Sequence, residues 1–433
     1  MKKSVKITMV SNYINHHQMP FCEALCETEV CDFCFIQTMY MEQKRIDMGW
    51  YLDPSDIPYV IEAYKDRDKA YDKIMSADIL LIGWMEDESI VRDALARNRR
   101  ESRAYDLGKR ETRPQLILRI SERLYREGQW KAISPRGLLS KYREHIRYRR
   151  SYIYLLCNGA YVASDYNLIG AYRGKMYRFG YFPRTRYYYN DNDLWANKPE
   201  LRRVFIEHEE ELPGEVVTLT NNEVRIVWAG RFMPLKHPEY MIRLATDLVK
   251  AGYRFHIDMI GSGEMEEELK AEASLNMIED YITFRGFIPP DKVRFIMEKS
   301  HIYVFTSNFL EGWGAVVNEA MNGGCAVVAS GEAGATHYLL KNEVNGLIYE
   351  NGSYDELFIQ VKKLFTYPEL IEKYGREAYR TILDLWNAEV AAKRLMDFHR
   401  GYMDGNIRIP EDGPFSEAPV LRPGFWKSGK LGE

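Results

Sequence analysis

The sequence predicts an α/β fold in which buried parallel strands alternate with helices, and it predicts more than one domain. Short apolar runs of strand length recur along the chain, separated by stretches with helical periodicity. A length of 433 residues is enough for two or three domains, each with its own core. An acidic run at 207–212 followed by Pro213-Gly214 marks a break. We therefore expect a domain boundary near 200–222. The predicted domains are 1–205 and 206–395. The remaining part, 396–433, is predicted to contain the end of a helix and an extended tail.

In the first half, apolar runs predict the strands and the polar, periodic stretches predict the helices. The predicted strands are 5–10, 32–38, 77–84, 115–120, 154–164 and 175–182. Helices are predicted at 20–28 and 86–99. In the second half the predicted strands are 225–229, 256–260, 281–284, 301–306 and 326–330. Helices are predicted from 315 to the glycine pair 323–324, at 355–365 and at 369–400.

Charge and hydropathy exclude two classes of protein. The chain has 59 basic and 63 acidic residues, a net charge of −4, which argues against a dedicated nucleic-acid binder. No run approaches the roughly 20 apolar residues of a membrane helix. The apolar run at the amino terminus is short and contains Lys6, so it predicts a first strand and not a signal peptide. The expected location is cytoplasmic, with contact to the inner face of the plasma membrane left open.

Four cysteines, Cys22, Cys26, Cys31 and Cys34, lie within thirteen residues. Four thiolates can close around zinc, but Cys31 and Cys34 alone have the spacing of a zinc knuckle. The four residues also divide between a predicted helix and a predicted strand. The sequence therefore favours reduced core thiols over a metal site.

The stretch 308–330 is the most informative part of the chain. A buried strand leads into a turn with Gly312 and Gly314, and a helix follows from Ala315. The start of such a helix offers unpaired N–H groups and a positive dipole end, which suit a phosphate. Glu311 and Glu319 lie eight residues apart here. Carboxylates repel phosphate but accept hydroxyl hydrogen bonds well, so the pattern predicts a nucleotide-sugar site. A glycine-rich turn with two incidental glutamates is the alternative.

A second loop carries two cations. The strand 225–229 leads into Gly230, and Arg231 and Lys236 follow five positions apart at the carboxyl edge of the sheet. An Arg and a Lys in that position suit a diphosphate. A solvated basic loop is the alternative. After 256–260, Gly261-Ser262-Gly263 lacks the third glycine of a dinucleotide fingerprint, because Glu266 occupies that position. We therefore expect this turn to line a nucleotide pocket and not to bind nicotinamide.

The segment Glu-Gly-Trp-Gly-Ala-Val-Val-Asn-Glu-Ala-Met, 311–321, resembles the E-x7-E signature of the retaining glycosyltransferases of family 4. The Gly-Arg-x4-Lys of 230–236 resembles that family's second signature. The resemblance covers about 223–395 and is thin over the first half. It implies the GT-B fold, in which two doubly wound parallel-sheet, Rossmann-like domains face a cleft.

The resemblance also implies roles for single residues. Glu311 would contact the transferred sugar, Glu319 the ribose, and Arg231 with Lys236 the leaving diphosphate. The remaining donor-binding candidates are Gly312, Gly314, Ala315, Val316, Gly261, Gly286 and Ile288. The implied reaction moves a sugar from a UDP- or GDP-linked donor to a saccharide or lipid-linked acceptor, in cell-surface polysaccharide synthesis. It proceeds with retention and needs neither metal nor cofactor, because the nucleotide-sugar is a substrate.

Acceptor recognition is the least defined feature of the sequence. The candidates are His16, in the loop after the first strand, and Glu122 with Arg123, directly after the predicted strand 115–120. Many family members carry a histidine near 121–123, and this chain does not. That departure keeps open a non-catalytic GT-B-like subunit that supports another glycosyltransferase. A sugar-nucleotide epimerase of the same fold would need a carboxylate pair that the sequence does not locate.

The segment 140–154 is rich in arginine, lysine and tyrosine and contains one glutamate. We interpret it as a basic, aromatic helix that contacts anionic lipid as a peripheral membrane element. An anionic acceptor site and a solvated face are the alternatives.

Overall fold

The computed structural model describes residues 4–28, 31–47, 51–126, 134–188, 191–196, 198–201, 203–207, 216–220 and 223–421. Within these residues the chain divides into two units, one of 4–184 with 386–421 and one of 185–385. Among the described residues, no helix is both long and apolar enough to cross a membrane.

The first unit contains, among its described residues, a seven-stranded sheet with the order β3-β2-β1-β4-β5-β6-β7. The strands are β1 Val5–Ser11, β2 Cys31–Gln37, β3 Val60–Glu62, β4 Ile79–Ile82, β5 Leu116–Ser121, β6 Ile153–Asn158 and β7 Met176–Phe179. All of their pairings are parallel. The helices are α1 Met19–Cys26, α2 Gln43–Asp47, α3 Arg67–Ser76, α4 Arg92–Asp106, α5 Pro135–Glu144, α6 Val162–Leu168 and, near the carboxyl terminus, α15 Ala388–Asp404.

The second unit contains, in its described part, a six-stranded sheet with the order β12-β11-β10-β13-β14-β15 and an antiparallel pair, β8-β9. The strands are β8 Arg203–Glu207, β9 Val216–Thr220, β10 Val224–Ala229, β11 Phe255–Ile260, β12 Ile282–Gly286, β13 Ile302–Phe305, β14 Ala326–Ser330 and β15 Leu347–Tyr349. The helices are α7 Asp191–Ala196, α8 Glu239–Lys250, α9 Glu266–Leu275, α10 Pro290–Lys299, α11 Ala315–Asn322, α12 Thr336–Leu339, α13 Tyr354–Thr366 and α14 Glu369–Asp384. The six strands of the larger sheet are parallel.

Each large sheet reverses its strand order once, between β1 and β4 in the first unit and between β10 and β13 in the second. The central strands of both sheets are buried along their length; β4 and β13, for example, have no exposed residue. This burial on both faces explains why they read as continuous apolar runs. The predicted fold of two doubly wound parallel sheets is confirmed. In such sheets, ligands bind outside the carboxyl ends of the strands at the point of reversal.

The segment 185–201 belongs to the second unit, whereas the predicted first domain extends to 205. Buried Lys198 donates from its ammonium group to the carbonyl oxygens of Ser300 and, at 3.0 Å, of Gly323. Those carbonyls follow helices α10 and α11, where a cation also complements the helix dipole. The guanidinium group of Arg186 contacts the carboxylates of Glu298, at 2.6 Å, and Asp291, at 2.9 Å. These contacts attach the segment to the second unit.

The part beyond 385 belongs to the first unit, whereas the prediction gave 386–395 to the second domain. Helix α15 extends to Asp404, past the predicted end of the last helix at 400. Asp412 accepts a hydrogen bond at 2.8 Å from Arg178 in β7, and the Ala418 N–H donates to the Met176 carbonyl at 3.0 Å. Phe415 is buried. The described part of the predicted tail is therefore packed on β7, and 422–433 lie outside the described residues.

Two predicted elements of the first unit are wrong. The predicted strand 154–164 ends at Asn158, because helix α6 begins at Val162. The predicted helix over 140–154 does not exist as one element: α5 ends at Glu144, a single 3-10 turn follows at Ile146–Tyr148, and β6 starts at Ile153. The helix stops because His145 is buried, with a ring nitrogen 3.2 Å from the Tyr172 hydroxyl.

Candidate functional site

Two loops at the reversal between β10 and β13 form the candidate site in the second unit. One loop, 230–237, follows β10, and the other, 306–314, follows β13. The Asn308 N–H donates to the Leu235 carbonyl at 2.9 Å, and the Thr306 hydroxyl donates to the Lys236 carbonyl. The Asn308 side-chain amide also lies 3.2 Å from a ring nitrogen of His237. These hydrogen bonds hold the two loops against each other.

Lys236 and Glu311, one from each loop, form an ion pair between the Lys236 ammonium and a Glu311 carboxylate oxygen. Their side chains are 15% and 16% exposed. Arg231 lies on the same loop as Lys236 and is exposed. The structure therefore brings together Lys236, which the sequence predicts to bind a diphosphate, and Glu311, which is predicted to bind the sugar. The second predicted cation, Arg231, lies on the same loop as Lys236. Each member of the pair neutralises the other and remains accessible to a third group.

Helix α11 begins at this pair. Its first residues are Ala315 and Val316, and Gly314 is its N-cap with φ of 92°. A Cβ built on Gly314 would lie 2.4 Å from the Cζ atom of Phe305, so no larger residue fits without rearrangement. Glycine offers no side-chain oxygen to cap the first turn. The N–H groups at the start of α11 are therefore available to an anion.

Glu319 lies on the second turn of α11 and retains some exposed surface, while its carboxyl group is enclosed by protein. Burial raises the pKa of Glu319 to about 7, and the positive charges of Arg294 and Arg186 oppose the rise. Arg294 is buried and donates to the side-chain oxygen of Asn322, one turn further along α11. Glu319 thus titrates near neutral pH beside two arginines.

Tyr303, in β13, is a buried side chain at the end of β10 that the sequence did not indicate. Its hydroxyl group is buried and donates to the Ala229 carbonyl at 3.4 Å. Burial, followed by the charges of Glu319 and Glu311, raises the pKa of this phenol well above its ordinary value. The feature of the sequence that could have indicated Tyr303 is its polar hydroxyl group within an otherwise apolar strand.

Three glycines bring the ends of β10, β11 and β12 together. The Gly230 N–H donates to the Ile260 carbonyl and the Gly261 N–H to the Gly286 carbonyl, each at 2.9 Å. A Cβ on Gly261 would lie 1.9 Å from the Gly230 oxygen. Ile288 follows β12 and is half-buried. The Gly-Ser-Gly turn is thus required for close backbone approach at this edge of the sheet.

The acceptor-side candidates lie at the carboxyl ends of β1 and β5 in the first unit. His16 is half-buried and its ring centroid is 3.9 Å from that of His17; burial lowers the pKa of His16. Glu122 accepts a hydrogen bond from the Tyr181 hydroxyl at 3.2 Å. Arg123 is 9% exposed and pairs with buried Asp165 at 3.4 Å. Both of these residues are therefore engaged inside the unit, Arg123 by Asp165 and Glu122 by Tyr181 and Arg126, while the Glu122 carboxylate stays partly exposed.

The four clustered cysteines have free thiols. Cys22 and Cys34 are buried, Cys31 is half-buried and Cys26 is exposed. Burial raises the pKa of Cys31 to about 12 and that of Cys34 to about 11. Among the described residues, no group of three or more His, Cys, Asp or Glu side chains is arranged to hold a metal ion.

Comparison with known proteins places this site in a known domain. Residues 215–381 match the family model described as glycosyl transferases group 1. An uncharacterized glycosyltransferase of Haemophilus influenzae is 32% identical over 160 residues, which are 37% of this chain and 44% of that protein. The poly(glycerol-phosphate) alpha-glucosyltransferase of Bacillus subtilis is 23% identical over 169 residues, 39% of this chain and 25% of that protein. The chain thus spans less than half the length of these relatives.

Solved structures extend the likeness to both units. HepE of Anabaena, crystallised with UDP, has a TM-score of 0.59 and 12% identity; the match covers 90% of this chain and 98% of that one. The crystal structure of HepE with UDP-glucose gives a TM-score of 0.56 and the same identity, covering 90% and 99%. At this identity the likeness concerns the fold. Residues 215–381 therefore match a glycosyltransferase group 1 domain, in a chain that has the GT-B fold.

Proposed function

We propose that this protein is a glycosyltransferase that moves a sugar from a UDP- or GDP-linked donor to a saccharide or lipid-linked acceptor, with retention and without a metal. The observation that carries the proposal is the Lys236–Glu311 ion pair at the start of α11. It combines a cation, an anion and free N–H groups in one place. A sugar diphosphate requires all three, because its diphosphate end binds positive groups and N–H donors, whereas the hydroxyl groups at its other end bind carboxylates.

The diphosphate end is matched by positive groups. Arg231 and Lys236 supply two cations, and the first turn of α11 supplies N–H groups. As the bond to the sugar breaks, negative charge grows on the leaving phosphate, and these groups stabilise it. In other enzymes a bound metal ion does this work. The two cations make a metal unnecessary in the proposed reaction.

The polyol end is matched by the carboxylates. Glu311 accepts hydrogen bonds from the sugar hydroxyls when Lys236 turns to the phosphate, and Glu319 accepts from the ribose. A pKa of about 7 for Glu319 is compatible with this task, since hydroxyl donors favour the ionised carboxyl group.

The proposed transfer needs no separate general base, because the leaving diphosphate accepts the proton of the acceptor. The acceptor oxygen forms a bond to the anomeric carbon while the bond from that carbon to the diphosphate oxygen breaks. The acceptor proton passes to the departing diphosphate, which Arg231 and Lys236 hold on the same face of the sugar. Departure and attack on one face give retention.

Cell-surface polysaccharide synthesis is the proposed setting. Among the relatives is an enzyme that by its name glucosylates poly(glycerol-phosphate), a polymer. Another is the amylovoran biosynthesis glycosyltransferase AmsK of Erwinia amylovora. The acceptor class of this chain rests on that likeness.

Calorimetry with UDP, GDP and ADP tests donor binding, and mass spectrometry of products from a panel of nucleotide-sugars tests transfer. We expect one diphosphate to bind and its sugar conjugates to be consumed, and UDP-glucose is the first donor to try. Binding without turnover on any acceptor would favour a non-catalytic GT-B-like subunit. Absence of binding to all three nucleotides would overturn the proposal.

A further inference from the structure

Helix α5, Pro135–Glu144, presents its apolar side chains to the outside. Leu138, Leu139 and Tyr142 are 39%, 51% and 51% exposed, and no residue of the helix is buried. At about 100° per residue these three side chains share one face. A helix on the surface of a soluble domain ordinarily turns such a face inward. The orientation of α5 is the reverse.

Contacts at the end of the helix fix this orientation. The carbonyl of Glu144 accepts a hydrogen bond at 3.1 Å from buried Arg119, and its carboxylate accepts one at 2.6 Å from Lys141. The next residue, His145, is buried beside Tyr172. The face that carries Glu144 is therefore attached to the first unit, and the face that carries Leu138 points away from these contacts.

Positive charge dominates the helix and the residues that follow it in the chain. Exposed arginines lie in and after the helix at Arg136, Arg143, Arg147, Arg149 and Arg150. Glu144 is the single acid between 134 and 152, and it is paired with Lys141. We define the α5 patch as Leu138, Leu139, Tyr142 and these five arginines. Its charge is opposite in sign to the net charge of −4 of the whole chain.

We propose that the α5 patch docks on an anionic lipid surface. Leu138, Leu139 and Tyr142 enter the boundary between headgroups and acyl chains, and the arginines contact lipid phosphates. The patch overlaps the segment 140–154 expected from the sequence, and its two leucines lie just before that segment. The proposal does not depend on the proposed function.

Charge and size favour lipid over the other occupants. A second copy of the chain would bring five arginines against five arginines, which is repulsive. Three apolar side chains are far smaller than the roughly 800 Å² per partner of a standard protein interface. A nucleic acid would meet the arginines but would leave the two leucines without an apolar partner. A bilayer offers both phosphates and an apolar layer.

The test is co-sedimentation of the full chain with vesicles at low salt. We expect binding to vesicles of phosphatidylglycerol and phosphatidylcholine in equal parts, weakening as salt is added, and none to phosphatidylcholine alone. Leu138→Ser/Leu139→Ser should weaken the binding by about tenfold or more, since two apolar side chains no longer insert. The matched control is Leu275→Ser/Met277→Ser, at residues 83% and 84% exposed in the second unit, which should bind like the wild type.

A charge reversal tests the arginines separately. Arg143→Glu/Arg147→Glu should weaken binding by at least about twenty-five-fold, because each of the two lost basic residues strengthens binding to an anionic surface by about fivefold. Arg99→Glu/Arg100→Glu, on the exposed side of α4, changes net charge equally and should have a much smaller effect. Equal losses in both charge variants would mean a general charge effect and would overturn the docking surface.

Two further results would also overturn the proposal. One is failure of the wild type to sediment with anionic vesicles at low salt. The other is a dimer in sedimentation velocity that Leu138→Ser/Leu139→Ser removes while vesicle binding is unchanged. Each variant is checked for an unchanged thermal midpoint and for UDP binding. Loss of UDP binding by every protein, with vesicle binding intact, would count against the proposed function alone.

Discussion

Lys236 and Glu311 form the most informative pair in the molecule, because their contact joins the loops after β10 and β13. The sequence located both residues, since each follows a buried strand at the carboxyl edge of a parallel sheet. It did not show that they pair with each other, nor that Arg294 and Arg186 influence Glu319. Lys236 and Glu311 are 75 positions apart in the chain, and no local pattern encodes their contact.

Alanine substitutions should separate the two acids. Glu311→Ala removes a hydrogen-bond acceptor for the sugar and frees Lys236, so we expect turnover to fall by about ten- to a hundredfold while UDP affinity is kept. Glu319→Ala removes the ribose acceptor, so UDP affinity should fall by a similar factor. Calorimetry with UDP and initial rates with the identified donor measure the two effects. Equal, negligible effects of both changes would defeat the assignment.

The raised pKa of Glu319 predicts a pH-dependent stability. The carboxyl group titrates at about 7 in the folded chain and near its ordinary 4.5 when unfolded. Between these values the folded state holds a proton that the unfolded state has lost, so stability falls as pH rises towards and through 7. The total is at most about 3 kcal/mol.

Glu319→Gln should lack this loss. Its unfolding free energy relative to the wild type should therefore improve between pH 5 and pH 8, as measured by denaturant titration at both values. Glu264→Gln, at an exposed acid, is the control and should show no such trend. A constant difference between Glu319→Gln and the wild type would show that Glu319 ionises normally.

At the scale of elements, the strand–glycine–helix unit β13-α11 depends on one backbone conformation. Gly314 adopts φ of 92° at the helix start, in contact with the ring of Phe305. Gly252, after α8, has φ of 74° with no atom within 4 Å of the position of a Cβ. Substitution by alanine should therefore strain the backbone at both positions, but it creates a clash with Phe305 at Gly314 only.

Gly314→Ala should destabilise the chain by about 1–3 kcal/mol more than Gly252→Ala, because overpacking adds to a common backbone cost. It should also weaken UDP binding, since the N–H groups of α11 follow this residue. Thermal unfolding and calorimetry on both variants provide the comparison. An equal cost for both substitutions would mean that Phe305 moves aside without penalty.

Most strands of the two sheets could be predicted, because burial on both faces leaves an uninterrupted apolar run. The short strand β3 and helix α3 were not predicted: β3 has three half-buried residues and α3 has a polar sequence with two buried side chains. The end of α5 was missed for another reason. Burial of His145 beside Tyr166 and Tyr172 depends on the fold of the whole first unit, whereas the sequence there reads as one basic, aromatic stretch.

At the scale of the whole molecule, the limits of the two units are set by a few buried polar contacts. Lys198 is the clearest of them, because its ammonium group is buried and donates to carbonyl groups that follow two helices. Burial lowers its pKa, yet its carbonyl partners and the helix ends favour the charge. The acidic run at 207–212 and the break at Pro213-Gly214 predicted a boundary near 200–222, but Lys198 and Arg186 already attach the chain to the second unit before that point.

Lys198→Met should destabilise the second unit by about 3 kcal/mol, since it leaves buried carbonyl groups without a donor. Lys250→Met, at a lysine whose side chain is 72% exposed, is the control and should change stability by less than about 0.5 kcal/mol. Denaturant unfolding of the full chain measures both. A small effect of Lys198→Met would show that another contact attaches the segment 185–201.

The first unit is built from both ends of the chain, and this has a consequence for synthesis. Phe182 and Trp386 lie on either side of the second unit in the chain, and their rings stack with centroids 6.4 Å apart. During synthesis, the sheet β1–β7 cannot complete its core until α15 has been made, because Phe398 and Tyr402 of that helix are part of the core. The second unit, contiguous from 185 to 385, has all of its residues earlier. We therefore expect the second unit to reach its native state first. The amino-terminal half stays incompletely folded for longer, and we expect chaperones to bind it during that time.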